Sequence, residues 1–210
     1  MYIPRPNEET RLPVLHGLIE AEPLAALVTF TSKGLVASHI PMVLDRSTSG
    51  FGILRGHVAR PNEQWRTFDA SVEALAIFAG PQQYITPNWY PEKQEHGKVV
   101  PTWNYIVVHA YGPLTAHEEP EWLMPHLEQL VAQNEAAFPS PWKITDAPAD
   151  YIRSQMKGIV GLELPITRLE GRWKLSQNRS ARDKQGVIDG LAKLDTPGSR
   201  AMKGLVIERS

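Results

Sequence analysis

The stretch Phe51-Gly-Ile-Leu-Arg-Gly-His-Val-Ala-Arg-Pro-Asn-Glu-Gln-Trp65 decides how the chain is read, because an apolar strand runs there directly into a cluster of phosphate-capable groups. β-Compatible residues predict a strand from about Phe51 to Val58. It must stop near Arg60, because Pro61 has no N–H and restricts the residue before it. Pro61 and Asn62 suit the start of a helical turn. One strand end thus gathers the Arg60 guanidinium, the Asn62 amide, the His57 imidazole and the free N–H groups of a helix start, a set suited to an anion such as phosphate. A surface Arg beside an ordinary turn would read the same way, and no Gly-rich cradle accompanies it.

Upstream, Leu24 to Phe30, a Thr31-Ser-Lys-Gly34 turn and Leu35 to Leu44 read as a hairpin, with Pro41 demoting the second strand locally to an edge or bulge. Ser38 and His39 sit just before that irregularity, where polar side chains can meet a ligand. The polar loop Asp45 to Gly50 leads back to the opening strand. Before the hairpin, Leu12, Leu15, Leu18 and Ile19 predict a helix within Glu8 to Glu20, ended by Pro23.

Downstream, Val72 to Phe78 predicts a buried strand broken by Gly80-Pro81. The charged segment Pro91 to Lys98 could act as a lid over the aromatics of Tyr84-Ile-Thr-Pro-Asn-Trp-Tyr90. A strand from Val99 to Gly112 puts Thr102, Asn104, Ile106 and Val108 on one face and Trp103, Tyr105, Val107 and His109 on the other. Asn104 is unusual there, since Asn is depleted in strands and needs partners when buried.

From Glu118 to Phe138 the pattern turns helical, with Pro125 either opening or kinking the helix. A helix over Ala149 to Lys157, a strand over Ile159 to Leu169, a polar stretch Gly171 to Ser180 and a helix over Ala181 to Leu194 follow. A Thr196-Pro-Gly-Ser turn and a tail come last. The expected fold is mainly β with flanking helices (α+β), one domain over 1–210 with helical additions around 118–157 and 181–194.

With 42% hydrophobic and 21% charged residues the chain can bury a core, and its formal net charge of −1 gives no global attraction to nucleic acid. Any DNA contact would need a local patch, for which Arg168, Arg172, Lys174, Arg179, Arg182 and Lys184 are the candidates. The absence of cysteine excludes disulfides and thiolate metal sites. No apolar run approaches the roughly 20 residues of a membrane helix, and a cytoplasmic location with no membrane contact is expected. The seven histidines form no metal-binding pattern. There is no nucleophile elbow or Walker loop, and Gly50-Phe-Gly52 lacks the third glycine and the βαβ unit of a dinucleotide fold.

What remains are anion donors (Arg60, Lys174, Arg179), amides (Asn62, Asn104, Gln177, Asn178) and aromatics (Trp89, Tyr90, Trp103, Tyr105). They suit a ligand that is flat at one end and phosphorylated at the other, such as FMN. Aromatics packed in a core with solvated basic residues would fit the same list equally well.

Five motifs tip the balance: Met1-Tyr-Ile-Pro4; Gly56-His-Val-Ala-Arg60 with Asn62 and Trp65; Tyr84-Ile-Thr-Pro-Asn-Trp-Tyr90; Val100-Pro-Thr-Trp-Asn-Tyr105 with His109 and Gly112; and Lys174-Leu-Ser-Gln-Asn-Arg179. In this order they resemble the PaiB family, described as FMN-binding negative transcriptional regulators with a split β-barrel related to pyridoxamine-phosphate oxidases. The chain departs from the family at Glu63, where Pro is usual, and near Asn7 and Arg11, where an aromatic and an acid are usual. The resemblance implies a homodimer with FMN at the subunit interface. It places Arg60 and Asn62, with His57 beside them, by the phosphate, and puts the strands of Ser38 and His39 and of Trp103 and Asn104 along the ring and ribityl chain. Lys174, Gln177 and Asn178 would reach in, from the partner subunit in one arrangement. It implies a repressor-like role with possible DNA binding; a flavin reductase or oxidase is the alternative, and no catalytic residue is assigned.

Overall fold

A computed structural model describes residues 1–47 and 50–209; Thr48 and Ser49 of the expected Asp45–Gly50 loop, and the last residue of the tail, lie outside the described residues. The strands are β1 (Glu8–Glu9), β2 (Leu24–Thr31), β3 (Gly34–Pro41), β4 (Val43–Asp45), β5 (Ile53–Ala59), β6 (Ala74–Ile85), β7 (Thr102–Gly112), β8 (Thr115–His117), β9 (Ile159–Pro165) and β10 (Arg168–Lys174). The helices are α1 (Leu12–Ala21), α2 (Gln64–Thr67), α3 (Lys93–His96), α4 (Pro120–Glu135), α5 (Ala149–Met156), α6 (Ala181–Leu194) and α7 (Pro197–Glu208). The fold is mixed α+β with two open antiparallel sheets, one ordered β1-β10-β7-β6-β2-β3 and the other β4-β5-β9-β8. No described helix is long and apolar enough to cross a membrane.

By its internal contacts the chain forms two compact units, Met1–Leu15 with Ala79–Val108 and Glu170–Ser210, and His16–Phe78 with His109–Leu169. In the second unit the strand period does the sorting. Along β5, Leu54, Gly56 and Val58 are buried while Ile53, Arg55 and His57 stay half-buried on the other face. On that second face Arg55 ties three strands, donating Nη1 to Asp45 and Nε to Glu163, both at 2.8 Å. Further along it, His57 stands opposite Gly161 of β9, and Gly161 in turn opposite His117 of β8. Gly161 is there because Trp122 of α4 lies directly over it: a Cβ would fall 2.1 Å from the indole. In the first unit Ile85, Ile106, Trp173, Val187, Leu191, Met202 and Val206 are buried among the C-terminal helices and strand ends.

The hairpin, β5, α5 and α6 follow the sequence reading. Four elements differ from it. Glu8 and Glu9 pair with Arg172 and Gly171 as β1 instead of opening the first helix, which starts at Leu12. Gly80-Pro81 does not break β6, because the ladder with β2 is confined to Leu75–Ile77 and the missing N–H of Pro81 takes nothing from it. The strand expected over Ile159 to Leu169 is two strands, the second running through the polar stretch with Trp173 buried inward. The Thr196-Pro-Gly-Ser turn is a helix start: Ser199 N donates to Thr196 Oγ1 at 3.1 Å and Thr196 N to Ser199 Oγ at 2.9 Å, a capping box that opens α7. Pro120 occupies the first turn of α4, and Pro125 lies inside the helix. The Pro91–Lys98 segment holds α3, closed by Gly97 at φ 67° and joined to α6 by an Arg182–Glu95 ion pair.

Gly161→Ala should therefore lower stability by about 1–3 kcal/mol, since Trp122 has to move. Gly204→Ala, in α7 with open space around it, should be neutral or stabilising by about 0.5–1 kcal/mol. Urea unfolding of the two variants beside the parent measures both.

Candidate functional site

A cavity of about 530 Å³ in the second unit is lined by Ala37, Ser38, His39, Ile40 and Pro41 of β3, by His57, Val58 and Ala59 of β5, and by Asn62 and Ile159. Its size lies within the range of small-molecule sites. The local sequence explains its polar wall. Pro61 ends β5, and the side-chain Oδ1 of Asn62 accepts Gln64 N–H at 3.0 Å, starting the α2 turn. The buried Gln64 amide then pins that turn to β2, donating to Leu27 O and Thr29 Oγ1, each at 3.1 Å. Asn62 is thereby fixed with its Nδ2 donating to Ser38 Oγ at 3.0 Å.

His57 Nδ1 lies 3.0 Å from Nε2 of His126, which α4 delivers one turn beyond Trp122. Trp122 itself stacks on His117 with ring centroids 4.5 Å apart and planes 4° from parallel. Burial pushes the pKa of both paired histidines down. His126 falls to about 4, from burial first and then from the positive charge of His57 and Arg55. At neutral pH the pair is neutral, one ring donating and the other accepting, and His57 is part of the cavity lining.

Arg60 adjoins this cavity in sequence but its side chain lines another, of about 620 Å³. There its guanidinium donates to Lys157 O at 2.7 Å and Ile159 O at 3.2 Å, and pairs with Glu118. Four of the expected ligand residues, Ser38, His39, His57 and Asn62, share one cavity wall; Arg60 does not.

The other five lie in the first unit. Asn104 is fully buried; its Oδ1 accepts from Ser176 Oγ at 3.2 Å, while its Nδ2 has no partner among the described residues. Lys174 donates to Thr102 Oγ1 at 2.5 Å, and burial followed by the charge of Arg172 pushes its pKa down. Gln177 spends its amide on its own turn, accepting from Leu175 N at 2.7 Å and donating to Trp173 O. Asn178 is exposed, and Trp103, half exposed, packs edge to face on Tyr84 with centroids 5.9 Å apart.

These groups fit FMN. Its phosphate, its ring carbonyl oxygens and its unprotonated ring nitrogens are acceptors; in the second unit the polar cavity wall offers donors, and in the first unit so does Asn104 Nδ2, buried and without a partner among the described residues. Sequence reading missed His126, Gln64 and Ser176. For His126 a signal existed: it sits four residues after Trp122 within the apolar stripe of α4, hence on the inward face.

Two open antiparallel sheets with helices around them are a fold met in flavin-binding proteins. The same fold occurs in the FAD and heme binding protein from Mycobacterium smegmatis, at a TM-score of 0.54 and 12% identity over 88% of this chain and 80% of that one. Residues 1–168 match the family described as "Putative FMN-binding domain". Protease synthase and sporulation protein PAI 2 of Bacillus subtilis is 31% identical over 100% of this chain and 98% of its own length. An uncharacterized protein of Emericella nidulans is 34% identical over 100% and 97%. The chain belongs to this FMN-binding, PaiB-like family, and FMN is the cofactor that membership assigns to it.

The histidine pair makes stability depend on pH. The folded pKa of His126 is depressed, so the unfolded chain binds the extra proton. Stability is fully present above about pH 6.5 and is lost as pH falls toward 4, by up to about 3 kcal/mol. Urea unfolding at pH 7, 6 and 5 should show this decline, and His126→Leu should flatten it.

Proposed function

We propose that the chain is an FMN-binding negative transcriptional regulator that works as a homodimer with flavin at the subunit interface. The observation that carries this reading is the full-length correspondence with PAI 2, a protein named for protease synthase and sporulation. Dimerisation is supported by β3, an edge strand: Leu35, 75% exposed, and its cross-strand neighbour Phe30 form an apolar patch there. For FMN, Ser38, His39, His57 and Asn62 are proposed as phosphate and ribityl contacts, and Trp103, Asn104 and Lys174 as further flavin contacts. Bound FMN supplies redox chemistry; these residues hold and orient it. Arg60, occupied by two carbonyls and a carboxylate, is proposed to hold the end of β5 against Ile159.

DNA contact does not come from the basic stretch as a whole, for much of it is engaged within the protein. Arg172 donates to Tyr2 O, Lys174 to Thr102, Arg179 lies over Tyr90, and Arg182 pairs with Glu95. The flavin reductase or oxidase reading is favoured by one observation, the neutral His57 in the cavity wall, a group able to give or take a proton.

Asn62→Ala should lower FMN affinity about tenfold to a hundredfold while changing riboflavin affinity little, the loss expected of one hydrogen bond to a charged group. Asn104→Ala should weaken both flavins alike. Fluorescence titrations give all four comparisons, and unchanged FMN affinity in a folded Asn62→Ala protein would remove that residue from the site.

The regulatory role is tested by gel shift on DNA upstream of the protein's own gene and its neighbours, at low and moderate salt, with and without FMN. A retarded complex in one flavin state is expected. No complex in either state, together with flavin bleaching under NADH or NADPH without oxygen, would replace the regulator by the reductase.

A further inference from the structure

The 620 Å³ cavity that receives the Arg60 side chain stands apart from the flavin reading and does not depend on it. Two helices form it. Pro120, Leu123 and Met124 of α4 face it from one side, and Met156 of α5 from the other. Leu123 and Met156 are buried, and the two methionines are unbranched and adaptable, so the walls are apolar and able to fit ligands of varied outline.

Its mouth is charged and unevenly so. Arg60 and Glu118 neutralise each other. Arg153 and Lys157, one helical turn apart at the end of α5, also line it, and neither has an ion-pair partner among the described residues. Glu121 is the one further acid in the lining, which leaves the mouth net positive. The first turn of α4 does not add to this, because the Glu121 carboxylate lies in it and Glu119 O accepts from Trp122 N at 3.1 Å and from Leu123 N at 3.0 Å.

We propose that this cavity binds a small amphipathic carboxylate, its apolar body against Leu123, Met124 and Met156 and its carboxylate paired with Arg153 and Lys157. A neutral apolar ligand would leave the two cations unused, and a cationic one would face them. An acid with a chain of about ten atoms fits both the volume and the charge.

Decanoate is the probe, titrated calorimetrically into the full chain loaded with FMN. Saturable one-to-one binding with a dissociation constant at or below about 1 mM is expected. Decyltrimethylammonium, of equal chain length, should bind at least about tenfold more weakly. In the double variant Arg153→Glu, Lys157→Glu the order of the two ligands should reverse. Both positions are exposed, so the variant should keep the parent's unfolding midpoint and flavin content. Met124→Trp, which fills the cavity from its half-buried wall, should abolish decanoate binding with charge unchanged. The proposal is overturned by the absence of saturable decanoate binding, by equal affinity for the two headgroups, or by decanoate affinity that survives charge reversal.

Discussion

The close approach of α4 to the β5–β9–β8 ladder at Gly161 is the constraint on which the second unit depends. Gly161 sits in a cross-strand row between His57 and His117, and the absence of a side chain there lets the Trp122 ring come down onto the backbone. Once Trp122 is seated it stacks on His117, and the next turn of the same helix brings His126 within hydrogen-bond distance of His57. A larger residue at 161 would lift all three contacts together. The helix that makes this contact also walls the Leu123–Met124 cavity, while its partner His57 walls the other. Two ligand-sized spaces thus share one packing decision.

The polar groups divide by whether the fold itself consumes them. The Gln64 amide nitrogen, Gln177 and the side-chain oxygen of Asn62 are spent on turns and on the neighbouring strand, so they set geometry. The Arg60 guanidinium is spent as well, on two carbonyls and a carboxylate. Asn104 keeps a donor unspent: it is fully buried in a strand, and its Nδ2 has no partner among the described residues. An unpaired buried donor costs about 1–3 kcal/mol, which a fold retains where a ligand can accept the bond. A flavin carbonyl is such an acceptor.

Much of this was legible in the sequence because it is written in local patterns. The hairpin announced itself by Thr31-Ser-Lys-Gly34, the end of β5 by Pro61, and α6 by its apolar spacing after Ser180, which caps it. Asn104 stood out as a polar residue in an apolar strand. What was not legible depended on partners distant in sequence. The polar stretch after Gly171 is a strand because β1 pairs with it, and Gly80-Pro81 is tolerated because β2 has already left β6 there. Arg60 read as a phosphate ligand because its neighbours were donors, yet its direction is set by Glu118, Lys157 and Ile159, which lie 58 to 99 positions away. The α7 helix was hidden by a capping box that shares its residues with a turn.

Charge gives the last step. A chain of formal net charge −1 has no long-range pull on nucleic acid, and its densest basic run is partly committed to Tyr2, Thr102, Tyr90 and Glu95. On the regulator reading proposed above, one copy would present few uncommitted charges of this run to DNA, and two copies joined through an apolar edge such as β3 would present twice as many. Under that proposal loss of the dimer would weaken DNA contact while leaving each chain folded.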